Sequence, residues 1–270
     1  MKTPRLLGVA AVAVTISLSV AGCSGAPAAG GTTSPSAAAS TLSGDLTISA
    51  AASLSGAFDE LAAEFHAKYP GVTVKPINYD GSSVLATQII QGAPVDVFAS
   101  ADVKNMTKVT AAKLTVKPVD FATNTMEIAT RPGNPLGITG LGDLAKTKAG
   151  KAPTVVLCAP AVPCGNASKT LLADAKVAVT PASEEQNVTA VLTKVESGDA
   201  DAGLVYVTDV KAAGAKVAGV PIANADAAVN TYPLSVLTGA QNPAAAAAFV
   251  TFVTSPEGQK VLASFGFGRP

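Results

Sequence analysis

Four short stretches of the 270-residue chain place small residues and hydroxyls where β-rich runs give way to helical periodicity. They are Ala52-Ser53, Gly81-Ser82-Ser83, Pro163-Cys164-Gly165 and Asn187-Val188. None carries a fixed positive charge. The first N–H groups of a helix have no intrahelical partner, and the helix dipole adds partial positive charge there, so each entrance can hold an anion. Taken singly, each is also an ordinary cap. In an open α/β arrangement such turns follow the carboxyl ends of strands, where ligands bind. Several converging there would make a cage of donors.

Such a cage selects by protonation state. A fully ionised oxyanion offers only acceptors, whereas one that keeps a proton leaves a donor facing donors. Sulfate, molybdate and tungstate meet the first condition. Hydrogen phosphate wants an acceptor, which Asp80 near Ser82 could supply. Catalysis is a weaker reading. Ser53 as a nucleophile needs a base, and the single histidine, His66, lies thirteen positions on, roughly 18 Å or more along the same helix. His66 flanks the apolar stripe of that helix and reads as a surface residue. No G-x-S-x-G, phosphate-loop or G-x-G-x-x-G pattern is present. Glu184-Glu185 reads as a solvated pair at a polar helix entrance.

The elements that must position these turns are legible as alternation. Strand candidates are 46–51, 72–78, 95–100, 125–130, 154–158, 202–207, 216–222 and 231–237, separated by helical stretches, which argues for parallel α/β architecture. The first helix carries Leu54, Ala57, Phe58, Leu61, Ala62 and Phe65 on one stripe. A later one carries Val188, Val191, Leu192 and Val195 and ends near Gly198, a C-cap candidate. Asn242-Pro243 and Ser255-Pro256 open the last two helices.

With 48% hydrophobic residues the chain can bury a core, and with 19 basic against 19 acidic residues it suggests no nucleic-acid partner. Lys2 and Arg5 precede an apolar run from Leu6 to Ala21, the charge order and length of a cleaved signal segment, 1–22. The run ends in Val20-Ala21-Gly22-Cys23, which resembles the bacterial lipobox and implies a lipid anchor on Cys23. Residues 23–45, rich in Ser, Ala, Gly, Thr and Pro, read as a flexible tether. This places the protein on the extracytoplasmic face of the cell membrane, attached by lipid alone. In an exported chain Cys158 and Cys164, with two prolines between them, read as a disulfide. One histidine and two such cysteines assemble no zinc site, and no direct cation ligands are expected.

Five blocks in order resemble the molybdate-binding proteins of ABC importers: Ala50-Ala51-Ala52-Ser53-Leu54; 81–86 with Gln88-Ile89; 92–102, GAPVDVFASAD; 203–209, GLVYVTD; and Ser264-Phe265-Gly266-Phe267. The resemblance spans 46–267. It implies a two-lobed α/β periplasmic-binding-protein fold of type II, each lobe a sheet flanked by helices, with the ligand in the cleft. Lobe 1 would be 46–124 plus 231–270, and lobe 2 125–230. Carried over by position, Ser53 and Ser82 would give hydroxyl and amide donors, Cys164 and Val188 backbone amides, and Tyr206 its phenol. Cys164 departs from the small non-cysteine residue common there, and a disulfide would preorganise that wall. A competing capping box, Ser183-x-x-Gln186, would start the helix early and tie up the Val188 amide.

The resemblance thus implies a monomeric, non-catalytic receptor without cofactor that captures molybdate, and tungstate too, for an ABC permease and its ATPase. Rival readings are a receptor for sulfate or another tetrahedral oxyanion, a secreted serine hydrolase using Ser53, and a structural lipoprotein.

Overall fold

Two five-stranded sheets, each with its own apolar core, meet at a pair of short chain crossings. The computed structural model describes residues 42–146, 150 and 152–270. The signal segment, Cys23 and the tether up to residue 41 lie outside the described residues. Elements follow in chain order. β1 (Gly44–Leu46), β2 (Ile48–Ala51), α1 (Ser55–Lys68), β3 (Val72–Val74), β4 (Asn78–Asp80), α2 (Ser82–Ile90), β5 (Val97–Ala99), α3 (Val103–Ala111) and β6 (Val119–Asn124) come first. The chain then crosses into β7 (Met126–Thr130), α4 (Gly142–Ala145), β8 (Val155–Cys158), α5 (Pro163–Asp174), β9 (Ser183–Glu185), α6 (Val188–Glu196), β10 (Ala202–Tyr206), α7 (Val207–Ala213) and β11 (Ala218–Pro221). It returns in β12 (Asn230–Val236) and closes with α8 (Pro243–Thr254) and α9 (Pro256–Ser264).

The first sheet has the order β4-β2-β5-β12-β6 and the second β11-β7-β10-β8-β9. Neither is purely parallel, which corrects the expectation from alternation. β12 re-enters the first sheet from the other lobe and pairs antiparallel with both β5 and β6; β7 pairs antiparallel with both β10 and β11. β12 is the strand by which the chain returns from the second sheet, and it runs against both of its neighbours.

Other differences have local causes. β6 was hidden because it begins with Val119-Asp120 after Lys117-Pro118 and buries only three of its six residues. β9 is the three-residue edge Ser-Glu-Glu, where charge discourages further strand pairing. Glu184-Glu185 therefore stands on a strand, not at a helix entrance, and Glu185 pairs with Lys194 and accepts from Ser183 Oγ. The run 72–78 is two strands in different sheets, β3 beside β1 and β4 beside β2. β1 also shows that the folded body begins before Leu46, with Gly44 N donating to Gly71 O at 2.9 Å.

Helix signals held closely. α1 buries Ala57, Phe58, Leu61 and Phe65 directly after the buried Leu54. Asn242 and Ser255 cap α8 and α9 by accepting from Ala245 N and Gly258 N, each with proline in the first turn. Gly198, just past α6, has φ +83°, as a helix stop there requires. The first lobe's core is aromatic: Phe65 packs edge-on to Phe249 at 5.2 Å, and Phe58 lies 5.8 Å from Phe121. The second lobe's core is aliphatic, centred on Ile128, Val156, Leu204 and Val205. Among the described residues no helix is long and apolar enough to cross a membrane.

Candidate functional site

The strands deliver four helix entrances to one cavity between the lobes. Ala51, Ala52, Ser53, Asp80, Gly81, Ser82 and Ala101 line it from the first lobe, and Pro163, Cys164, Asn187, Val188 and Tyr206 from the second. All five residues singled out in the sequence, Ser53, Ser82, Cys164, Val188 and Tyr206, are in that lining. The cavity is small, and its lining is made of short side chains apart from Tyr206 and Val188. No lysine, arginine or histidine lines it.

Each entrance follows from local sequence. β2 is fully buried, so only small side chains fit as it turns through the 3-10 segment Ala52–Leu54 into α1. Ser53 Oγ lies 3.0 Å from Tyr232 Oη. α2 starts at Ser82, whose Oγ accepts from Ala101 N at 2.9 Å in a fully buried position. A serine oxygen occupied as acceptor keeps its own proton to give. α5 starts at Pro163, which has no N–H, so Cys164 supplies the first amide of that helix.

Cys164 is bonded to Cys158 at the end of β8 (S–S 2.04 Å), which ties the entrance of α5 to its own strand. α6 settles the rivalry between caps. Asn187 is the N-cap, its Oδ1 accepting from Ala190 N at 2.9 Å, while Ser183 and Glu185 belong to β9. Val188 is thus the first helical residue, and its amide has no carbonyl a turn before it.

Tyr206 ends β10 with its side chain 1% exposed, and its hydroxyl makes no hydrogen bond to any described residue. A buried phenol without a partner costs about 1–3 kcal/mol and is unusual in a folded protein. Burial, with help from nearby Tyr232, Asp209 and Asp102, holds its pKa well above the ordinary phenol value, so it is a neutral donor. Three helices of nine or more residues, α2, α5 and α6, point their positive ends into the same space. Such an arrangement can offer an anion amides and hydroxyls without any cation.

Contacts across the cleft hold the two walls together. Asp80 Oδ1 accepts from Gly81 N at 2.7 Å and from Asn187 Nδ2 at 2.9 Å, the second bond joining the lobes. Gly81 lies so close to the opposite lobe that a Cβ there would stand 2.0 Å from Gln186 O. Asn124, one residue before the crossing, donates to Thr208 Oγ1 of α7 at 2.8 Å. Asp80, Gly81 and Asn187 were marked in the sequence as an acceptor beside Ser82 and as parts of helix entrances, but their contacts across the cleft, and the role of Asn124, were not legible, because each is made with a residue of the other lobe. His66 is far from all of them by topology: it is exposed near the end of α1, its Nδ1 2.8 Å from Val72 O. Among the described residues no three His, Cys, Asp or Glu side chains come together as a metal site.

Asp209, also unmarked from sequence, sits under the site in α7. It is 7% exposed, and its Oδ2 accepts from Tyr206 N at 2.8 Å. Burial pushes its carboxyl up to about 7, against the smaller opposing pull of that amide. The folded state therefore holds a proton that the unfolded chain has released between the usual carboxylate range and pH 7. Stability must fall as pH rises through that window. Asp209→Asn keeps an acceptor without the charge. We expect its melting temperature to match the parent near pH 4 and exceed it at pH 8, by the equivalent of about 2–4 kcal/mol. Melting curves across pH check this; a gap independent of pH would contradict it.

The family model described as bacterial extracellular solute-binding protein matches residues 46–268. The chain is 43% identical over 226 residues to the molybdate-binding protein ModA of Mycobacterium tuberculosis, covering 83% of this chain and 85% of that one. It is 30% identical over 264 residues to the putative ABC transporter substrate-binding lipoprotein YvgL of Bacillus subtilis, covering 94% and 95%. Among solved structures, the substrate-binding domain of a putative molybdenum ABC transporter from Clostridium difficile superposes with TM-score 0.62 at 30% identity, covering 84% of this chain and 99% of that one. The two-lobed fold, the donor-lined cleft and these similarities lead to one assignment: the chain belongs to the bacterial extracellular solute-binding proteins.

Proposed function

We propose that the protein captures molybdate, and tungstate with it, outside the cytoplasmic membrane and passes it to an ABC permease driven by its ATPase. The observation that carries this reading is the unpartnered, buried Tyr206 hydroxyl, set in a cavity whose other walls are helix amides and serine hydroxyls. Ser53, Ser82 and Tyr206 donate hydroxyl protons, and Ser53, Ser82, Cys164 and Val188 donate amides. The ligand must be an acceptor on all sides, as a fully ionised tetrahedral oxyanion is. The relatives named as molybdate-binding supply the choice among such ions.

Residues 46–124 with 231–270, extended by Gly44–Asp45 of β1 and Asn230 of β12, form one lobe and the rest of 125–230 the other, closing on the anion by rotation at the crossings around Thr125 and Val229. The relative named as a lipoprotein supports an anchor at Cys23 after removal of 1–22, with the following residues as tether. The receptor acts as a monomer at the extracytoplasmic face and does not turn its ligand over. Ser53 has Tyr232 as its side-chain neighbour and no histidine in the cavity lining.

The test is thermal unfolding of the chain from Gly44 onward with molybdate, tungstate, sulfate or phosphate. A ligand that binds only the folded state raises its stability by RT ln(1 + [L]/Kd), about 2.7 kcal/mol at a hundred times Kd. Molybdate and tungstate should raise the melting temperature by several degrees at micromolar concentration, with sulfate and phosphate inert there. Stabilisation by sulfate alone would replace the ligand assignment, and none by any oxyanion would overturn the function.

A further inference from the structure

We propose that Tyr232 is a positioning residue for the anion: its hydroxyl fixes the direction in which Ser53 donates. This rests on the oxyanion reading of the cavity. Tyr232 lies in β12, is fully buried and does not line the cavity. Its Oη is 3.0 Å from Ser53 Oγ and takes a long hydrogen bond from Asn124 Nδ2 at 3.4 Å. An amide nitrogen can only donate, so the phenol oxygen serves Asn124 as acceptor, and we take its single proton to point at Ser53 Oγ, the nearer of its two partners. Ser53 then has its own proton for the cavity it lines. The order is a one-way chain of donors from Asn124 through Tyr232 and Ser53 to the anion.

The surroundings keep the phenol in place. Its ring is held edge-on by Phe267 at 5.5 Å, Tyr206 at 6.1 Å and Phe121 at 6.3 Å. The β12–β6 register shifts between Tyr232 and Pro233, and Pro233 has no N–H for the ladder. Irregularities of this kind re-aim a side chain beside a functional site. Asn124, at the other end of the chain of donors, also donates to Thr208 Oγ1 of the second lobe. The direction of the Ser53 donor is thereby tied to the segment where the lobes join.

The experiment measures the molybdate dissociation constant by titration calorimetry, and the ligand-free melting temperature, for the parent, Tyr232→Phe, Ser53→Ala and the double variant. Phenylalanine keeps the ring contacts, so the fold should survive with a modest drop in melting temperature. Tyr232→Phe should weaken molybdate binding about five- to tenfold, less than the loss of a whole hydrogen bond to a charged group, because Ser53 keeps its proton and loses only its fixed direction. In the Ser53→Ala background the same change should have no further effect on affinity, because the hydroxyl it orients is gone.

A purely structural role would weaken both backgrounds equally, and that result would overturn the proposal, as would parental affinity in Tyr232→Phe. Parental affinity in Ser53→Ala would instead remove the site reading on which the proposal stands. The two failures are therefore distinguishable.

Discussion

Replacing Ser53 and Ser82 together by alanine should weaken molybdate binding by about 10²- to 10⁴-fold. Each serine offers one hydroxyl proton to the ligand, and a hydrogen bond to a charged group is worth about 1.5–3 kcal/mol, with 1.4 kcal/mol per factor of ten. The two serines share one ligand, so their losses are coupled and the range brackets that coupling. Stability separates the two positions. Ser82 Oγ is the acceptor for the buried Ala101 N–H, so Ser82→Ala strands that donor and should cost about 1–3 kcal/mol even without ligand. Ser53→Ala frees only one contact of Tyr232 and should cost less. Affinity must be measured directly, by calorimetry on the folded variants, because melting temperature mixes the two effects. A double variant that binds as tightly as the parent would remove both serines from the site.

Gly81→Ala should abolish closure while leaving each lobe intact. Gly81 has φ −61° and ψ 134°, a conformation any residue adopts, so a methyl group strains nothing within the first lobe. The obstacle is across the cleft, where the added Cβ would stand 2.0 Å from Gln186 O and 3.2 Å from Val162 Cγ1. The first of these is backbone and cannot swing aside. Relief requires the lobes to part, which also breaks the Asp80–Asn187 bond and moves the amides of Cys164 and Val188 away from Ser53 and Ser82.

Affinity should fall at least 10²-fold, because donors from one wall alone would remain. The ligand-free melting temperature should fall only slightly, since the lost Asp80–Asn187 bond is partly offset by the smaller unfolded-state freedom of alanine. Small-angle scattering gives the second readout: saturating molybdate should compact the parent and not the variant. Parental affinity with normal compaction in Gly81→Ala would show that the bound state does not need this contact.

How much of this was legible depended on the range of each interaction. The stripe of α1 and the caps at Asn242 and Ser255 were readable because they are settled within one or two turns of chain. So was the Cys158–Cys164 pair, which the structure closes into a disulfide, because six positions cannot carry the cysteines far apart. The entrances at Ser53, Ser82, Cys164 and Val188 were readable as donors, since a helix start leaves its amides free wherever it occurs.

β9 and β6 were not legible, because an edge strand with two glutamates and a strand opening on Val-Asp lack the apolar pattern that periodicity detects. The antiparallel return of β12 was invisible for another reason: strand direction in a sheet depends on where the chain comes back, and no local pattern records it.

The inventory of donors and the lack of a cation among them could be read from the chain alone, because residue types and helix starts are local properties. Tertiary structure alone decided that the donors share one cavity. It also decided that Gly81 must be bare because Gln186 lies against it, and that Tyr232, 179 positions from Ser53, lies beneath its hydroxyl. Those are contacts between groups far apart in the chain. They exist only once two crossings bring the sheets together, and chain order carries no signal of the distance between them.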